Sequence, residues 1–129
     1  MADLTTKYMG LQLKNPVIVG ASNLVKEVDN CKRMEEAGAA AIVYKTLFEE
    51  QIELERLQLN EELNQYNERH AEMISLFPDI QHAGPREHLN HLKKVVDSVK
   101  IPVIASLNCT FSDTWVEYAR LMENTGIKA

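Results

Sequence analysis

No apolar run in this chain approaches the ~20 residues of a membrane span, and the start Met1-Ala2-Asp3-Leu4 lacks the basic and apolar segments of a secretory leader. A cytoplasmic protein with no membrane partner is expected. Cysteine is scarce: Cys31 and Cys109 are the only two, at a spacing that suits neither a zinc site nor a disulfide framework, so both are expected as reduced thiols. Positive charge is scarce too. The 14 Lys and Arg against 19 Asp and Glu leave a formal net charge of −5, which excludes wholesale nucleic-acid binding because that needs a basic face to neutralise phosphates. Only a local positive pocket fits that balance. What is present, 129 residues with 45% hydrophobic and 26% charged, is the composition of one globular domain spanning 1–129.

The segment Asn15-Pro16-Val17-Ile18-Val19-Gly20-Ala21-Ser22-Asn23 is answered by Ala41-Ile42-Val43-Tyr44-Lys45-Thr46. Each is a short apolar run that stops at small or polar residues, as buried parallel strands read when their carboxyl ends open onto a site. Between them Leu24, Val28, Cys31, Met34 and Ala37 recur at helical spacing, and Gly38 stands where a left-handed C-cap needs a residue without Cβ. The unit is β-α-β, with Ser22 and Lys45 ending adjacent strands on one rim. Parallel α/β folds place their chemistry at such rims, and a lysine there is costly to seat unless it meets an anion, a carbonyl or a carboxylate. The plain alternative is a lysine that snorkels to water.

Upstream, residues 4–13 read as a small two-stranded ribbon. From Phe48 to Phe77 the chain is acidic and rich in Leu, Glu and Gln; Phe48, Ile52, Leu59, Leu63 and Tyr66 fit one helical stripe, from which Leu54 and Leu57 depart. The segments around Phe77-Pro78-Asp79 and Ala83-Gly84-Pro85 bracket a loop, Pro85 being suited to a helix first turn. Leu89, Leu92, Val95, Val96 and Val99 form the next apolar face, and Ile101–Asn108 reads as a third buried strand with Ile104, Ser106 and Asn108 on one side. Thr114-Trp115-Val116-Glu117 has capping-box spacing for a final helix. Trp115, Tyr118 and Met122 are expected on its sheet-facing side.

Other candidates carry weaker chemistry. His88 and His91, with His82 and Glu87, lack a strict ligand spacing and are expected as helix-surface histidines rather than metal ligands. His70 beside Arg69 is no better a ligand. Cys109 follows a strand end, but no base is placed to activate it, so a packed thiol is expected.

The Asn15–Ser22 run, the Glu36–Ala41 helix-to-strand step, Val43-Tyr44-Lys45-Thr46 and Pro102–Asn108 resemble the amino-terminal half of dihydroorotate dehydrogenase-like flavoproteins. The resemblance spans nearly the whole chain. It implies an α/β fold, half of a (β/α)₈ barrel with FMN at the carboxyl rim, in an oxidoreductase of pyrimidine biosynthesis or a related pathway. Ala21 and Ser22 would meet the flavin through backbone and hydroxyl. Lys45, the catalytic candidate, would lie beside flavin and substrate, with Thr46, Ser106 and Asn108 completing the cofactor contacts. An ammonium there would stabilise reduced flavin, anionic near its pyrimidine edge, and small residues at 20–22 would let the ring approach the backbone.

Two departures shape the expectation. The acidic stretch with Asn67-Glu68-Arg69-His70-Ala71-Glu72 replaces the family's asparagine-rich loop, so the small-molecule substrate need not be dihydroorotate. The chain also stops at Ile127-Lys128-Ala129, where a fourth strand is expected to begin; the family's catalytic base, a later lysine and the glycine-rich turns that hold FMN phosphate are not among these residues. Weak FMN binding, little turnover and self-association through an open barrel edge are the expected consequences. Two rival readings stay open: a Schiff-base lyase using Lys45, and a non-catalytic half-barrel assembly module.

Overall fold

The structure, a computed structural model, describes residues 2–69 and 85–129. It is a mixed α/β arrangement. An antiparallel ribbon, β1 (Thr6–Tyr8) and β2 (Leu11–Leu13), turns at Met9-Gly10 and leads to β3 (Ile18–Val19). A 3₁₀ turn over Asn23–Lys26 precedes α1 (Val28–Glu36), then β4 (Ala41–Val43). After β5 (Leu47–Phe48) come α2 (Glu49–Arg69), α3 (Arg86–Ser98), β6 (Val103–Ile104), β7 (Leu107–Asn108) and α4 (Ser112–Glu123).

The strands β3, β4 and β6 lie side by side in that order, all parallel. Strand alternation sorts their side chains onto two faces. Ile42, Tyr44 and Val103 join Cys31, Leu92, Val95 and Met122 in the core under the helices. Ala41 and Ile104 face the other way, packed with Leu13 from the ribbon and flanked by Ile18 and Val43. That second face is only partly covered: Ile18 and Val43 on it are half-buried.

Local chemistry explains the strand spacing. Asn15 holds the approach to β3, its Nδ2 donating to the Gly38 carbonyl at 3.0 Å while its Oδ1 accepts from Val17 N–H at 2.9 Å. Glu35 on α1 accepts from the N–H groups of Lys100 and Ile101 at 2.8 and 3.1 Å, tying the first helix to the turn before β6. Helix α1 ends as its sequence predicts. Gly38 takes φ +105°, its N–H donates to Glu35 O at 3.0 Å, and Ala39 N–H reaches back to Met34 O at 3.1 Å. Gly38→Ala is therefore expected to cost about 1 kcal/mol, read as a lower urea midpoint at unchanged slope; an unchanged midpoint would refute it.

Four expectations are corrected. Leu24 is 63% exposed and Val25 is buried in its place, because the 3₁₀ turn breaks the helical phase before α1 begins at Val28. Ala37, placed on the same face, is exposed at the end of the helix. Helix α4 starts at Ser112, so Thr114 and Glu117 lie inside it and form no capping box. Trp115 is 42% exposed while Tyr118 and Met122 pack on the core, so the sheet-facing stripe is narrower than expected. The α3 face of Leu89, Leu92, Val95, Val96 and Val99 packs as its spacing predicts. Along α2, Ile52 is buried, Leu54 and Leu57 are more than half exposed, and Phe48 is 39% exposed. The side chains of Leu59, Leu63 and Tyr66, the loop expected at 77–84, and His70 and His82 lie outside the described residues.

The sheet does not run straight to its carboxyl rim. Val43 pairs with Ile104 and Leu47 with Leu107, so three residues, Tyr44, Lys45 and Thr46, oppose two, Ala105 and Ser106. This is a one-residue bulge in a parallel pair. Tyr44 N–H still bonds Ile104 O at 2.8 Å and Leu47 N–H bonds Ser106 O at 2.9 Å, but among the described residues the N–H groups of Lys45 and Thr46 have no partner. The far edge of β6, expected to lie open, is occupied over its central residues by the chain itself: Lys128 N–H donates to Val103 O at 3.0 Å and Ala105 N–H to Ala129 O at 2.8 Å.

Candidate functional site at the strand carboxyl rim

Because β3, β4 and β6 are parallel, the residues that follow them share one end of the sheet. Ala21 and Ser22 follow β3 and are both exposed; Ser22 is extended, with φ −158° and ψ 174°, and its side chain does not cap the 3₁₀ turn. A Cβ placed on Gly20 would meet no heavy atom within 4 Å, so the backbone there is open to a flat ligand. Lys45 and Thr46 sit half-buried on the bulge. Thr46 and Ser106 join hydroxyls at 2.7 Å across the strand ends, while Asn108, two residues on, is exposed.

Behind this rim, on the helix side, lies a cavity of about 300 Å³ lined by Lys26, Tyr44, Lys45, Thr46, His88 and His91 among others. It is enclosed by the 3₁₀ turn, the bulge and the first turns of α2 and α3. The histidine pair of α3 is thus not a surface pair. His88 lies largely buried, its ring edge-on to Tyr44 at 5.2 Å and 70°, and its Nε2 is buried without a hydrogen-bond partner. Burial pushes its pKa down to about 4, helped by the positive charges of Lys45, His91 and Lys26. The imidazole is neutral at pH 7. Burial likewise drives Tyr44 up to about 12, with Cys31 and Glu27 adding to it, so its phenol stays protonated.

A second anchor ties the loop after β7 to the start of α2. Glu49 is 4% exposed. Its Oε2 accepts from the N–H groups of Thr110 and Phe111, at 2.5 and 3.3 Å, at the amino end of α4. Burial would raise its pKa, but these bonds and the Thr114 hydroxyl outweigh that and hold the carboxyl below its ordinary range. Cys109, beside this anchor, is a free thiol pushed up by burial and by Glu49, the opposite of an activated nucleophile. Among the described residues no three His, Cys, Asp or Glu side chains converge on a point that could hold a metal ion. No described helix is long and apolar enough to cross a membrane.

No family model matches the chain, and no curated protein matches it.

The sequence named Ala21, Ser22, Lys45, Thr46, Ser106 and Asn108. The parallel order sets all six at one end of the sheet, and the hydroxyl pair brings Thr46 and Ser106 into contact. It did not single out Tyr44, Lys26 or Glu49, and it set His88 on the helix surface, where the structure instead buries its Nε2 against Tyr44. His88 had a readable signal: it precedes Leu92, Val95 and Val99 at steps of four, three and four, which puts it on the buried face of α3. Tyr44 shares the parity of buried Ile42. Glu49 was hidden in an acidic run, and nothing local to Lys26 marks it.

Proposed function

We propose that the chain forms the flavin-facing, amino-terminal half of a (β/α)₈ barrel in an FMN-dependent oxidoreductase of the dihydroorotate dehydrogenase-like group, acting on a small CH–CH donor. The supporting observation is the rim itself: consecutive parallel strands end in Gly20-Ala21-Ser22, in Lys45-Thr46 and in Ser106-Leu107-Asn108, with open backbone at the first and a half-buried cation at the second. Such a donor set fits the ring end of a flavin. Bound FMN would supply hydride acceptance. The residues present would hold it as follows: the exposed backbone at 20–22 gives a flat ring close approach, the Thr46–Ser106 hydroxyls and Asn108 offer hydrogen bonds to ring heteroatoms, and Lys45 counters negative charge. Self-association through the partly covered face bearing Ile18 and Val43 belongs to the same reading.

Titration of FMN followed by flavin fluorescence tests this. Binding is expected in the micromolar range or weaker, because the phosphate-holding turns of that family are not among these residues, and Lys45→Ala is expected to weaken it roughly tenfold. No saturable binding at millimolar FMN would sink the reading; submicromolar binding would mean that these residues hold the flavin's phosphate tightly as well as its ring.

A further inference from the structure

The cavity behind the rim is unusual for so acidic a chain. Lys26 and Lys45 both line it, yet among the described residues neither has a carboxylate within salt-bridge distance, the ion pair there being Lys93 with Asp97 at 3.6 Å on the exposed side of α3. His91 adds a third basic group and His88 a neutral imidazole with an unsatisfied buried Nε2. The acid on the wall is Glu87, and it is exposed. Two lysines and two histidines around about 300 Å³, at the small end of ligand pockets, make an arrangement that an anion completes.

We propose that this cavity is a binding site for a small oxyanion, the carboxylate or phosphate group of a metabolite, held by Lys26, Lys45 and His91. An anion there offsets the repulsion between the Lys26 and Lys45 ammoniums and gives them an acid partner that no described residue supplies. It also opposes the field on His88, whose titration is held down by burial first and then by Lys45, His91 and Lys26. The site rests on other observations than the flavin reading, though Lys45 and Thr46 are common to both.

The test is calorimetric titration of the chain, at low ionic strength and neutral pH, with inorganic phosphate and separately with malonate. NMR of the His88 imidazole is recorded alongside. Saturable binding of at least one is expected, roughly tenfold weaker in Lys26→Ala, largely restored in Lys26→Arg, and unchanged in Lys7→Ala, a remote exposed lysine of the ribbon. The His88 titration should move upward when the site is filled. Binding of phosphate alone assigns a phosphoryl ligand, of malonate alone a carboxylate, and of both a site that reads charge rather than shape. Absence of saturable binding by either, or equal loss in Lys26→Ala and Lys7→Ala, overturns the proposal, whatever the FMN titration shows.

Discussion

Lys45→Ala is expected, on the proposed flavin reading, to slow reduction of bound flavin roughly a hundredfold in a full (β/α)₈ barrel that carries these residues, and to lower the flavin's reduction potential. The reason is electrostatic: one fixed cation beside developing negative charge in a water-poor site contributes a few kcal/mol to the barrier, which is the scale of a lost oxyanion donor. Lys45→Arg keeps the charge but places a planar fork where a compact ammonium sat between Tyr44 and Thr46, so only partial recovery is expected. Anaerobic stopped-flow bleaching at saturating substrate reads both. Equal bleaching rates and equal potentials in wild type and Lys45→Ala would confine Lys45 to the cavity behind the rim and leave the rim without its mechanistic centre.

Acid should loosen this fold well before its carboxylates are exhausted. In the folded state His88 titrates at about 4, lowered first by burial and then by Lys45, His91 and Lys26, against 6.5 when unfolded. Between those values the unfolded chain takes up a proton that the folded chain refuses, so stability is full above 6.5 and falls as pH descends toward about 4. The undiscounted shift exceeds 3 kcal/mol at 1.36 per pH unit; with the ring partly open to solvent screening, about 2 kcal/mol is the expected loss. Glu49 adds a lower limb: its carboxyl is held below its ordinary value, so its contribution is present above that value and disappears as pH falls through the folded one. His88→Phe separates the two, because it keeps an aromatic ring against Tyr44 and removes the proton acceptor without breaking a hydrogen bond of Nε2. Urea midpoints at about pH 7 and about pH 5 should differ clearly in wild type and little in the variant. A wild-type pH slope retained in His88→Phe would show that other groups produce it.

The parallel β-α pattern was legible because each of its signals has a short-range cause. Apolar runs bounded by Asn15-Pro16 and by Ser22 marked the first strand, Gly38 marked a helix end that needs positive φ, and the α3 stripe follows from helical spacing alone. Misses came where a distant residue decides. Thr114 and Glu117 have a capping-box spacing, but the amides before α4 are taken by Glu49, 61 and 62 residues away in sequence. Leu24 lost its burial to Val25 because a 3₁₀ turn shifts phase, and neither residue signals that. The rim residues were readable from strand parity and polarity. The cavity behind them was not, because it depends on how α3 and the 3₁₀ turn approach the bulge, which no local window contains.

The bulge also changes what mutation can and cannot reach. Two of the donors it frees are peptide N–H groups of Lys45 and Thr46, which survive replacement of either side chain by anything but proline. An alanine scan would pass over them. What this corner of the fold must preserve is a count, three residues between Val43 and Leu47 against two between Ile104 and Leu107. Removing one residue from that stretch would pull the ladder straight and invert which face the following side chains occupy. Substitutions here tune the site, whereas a single-codon deletion dismantles it.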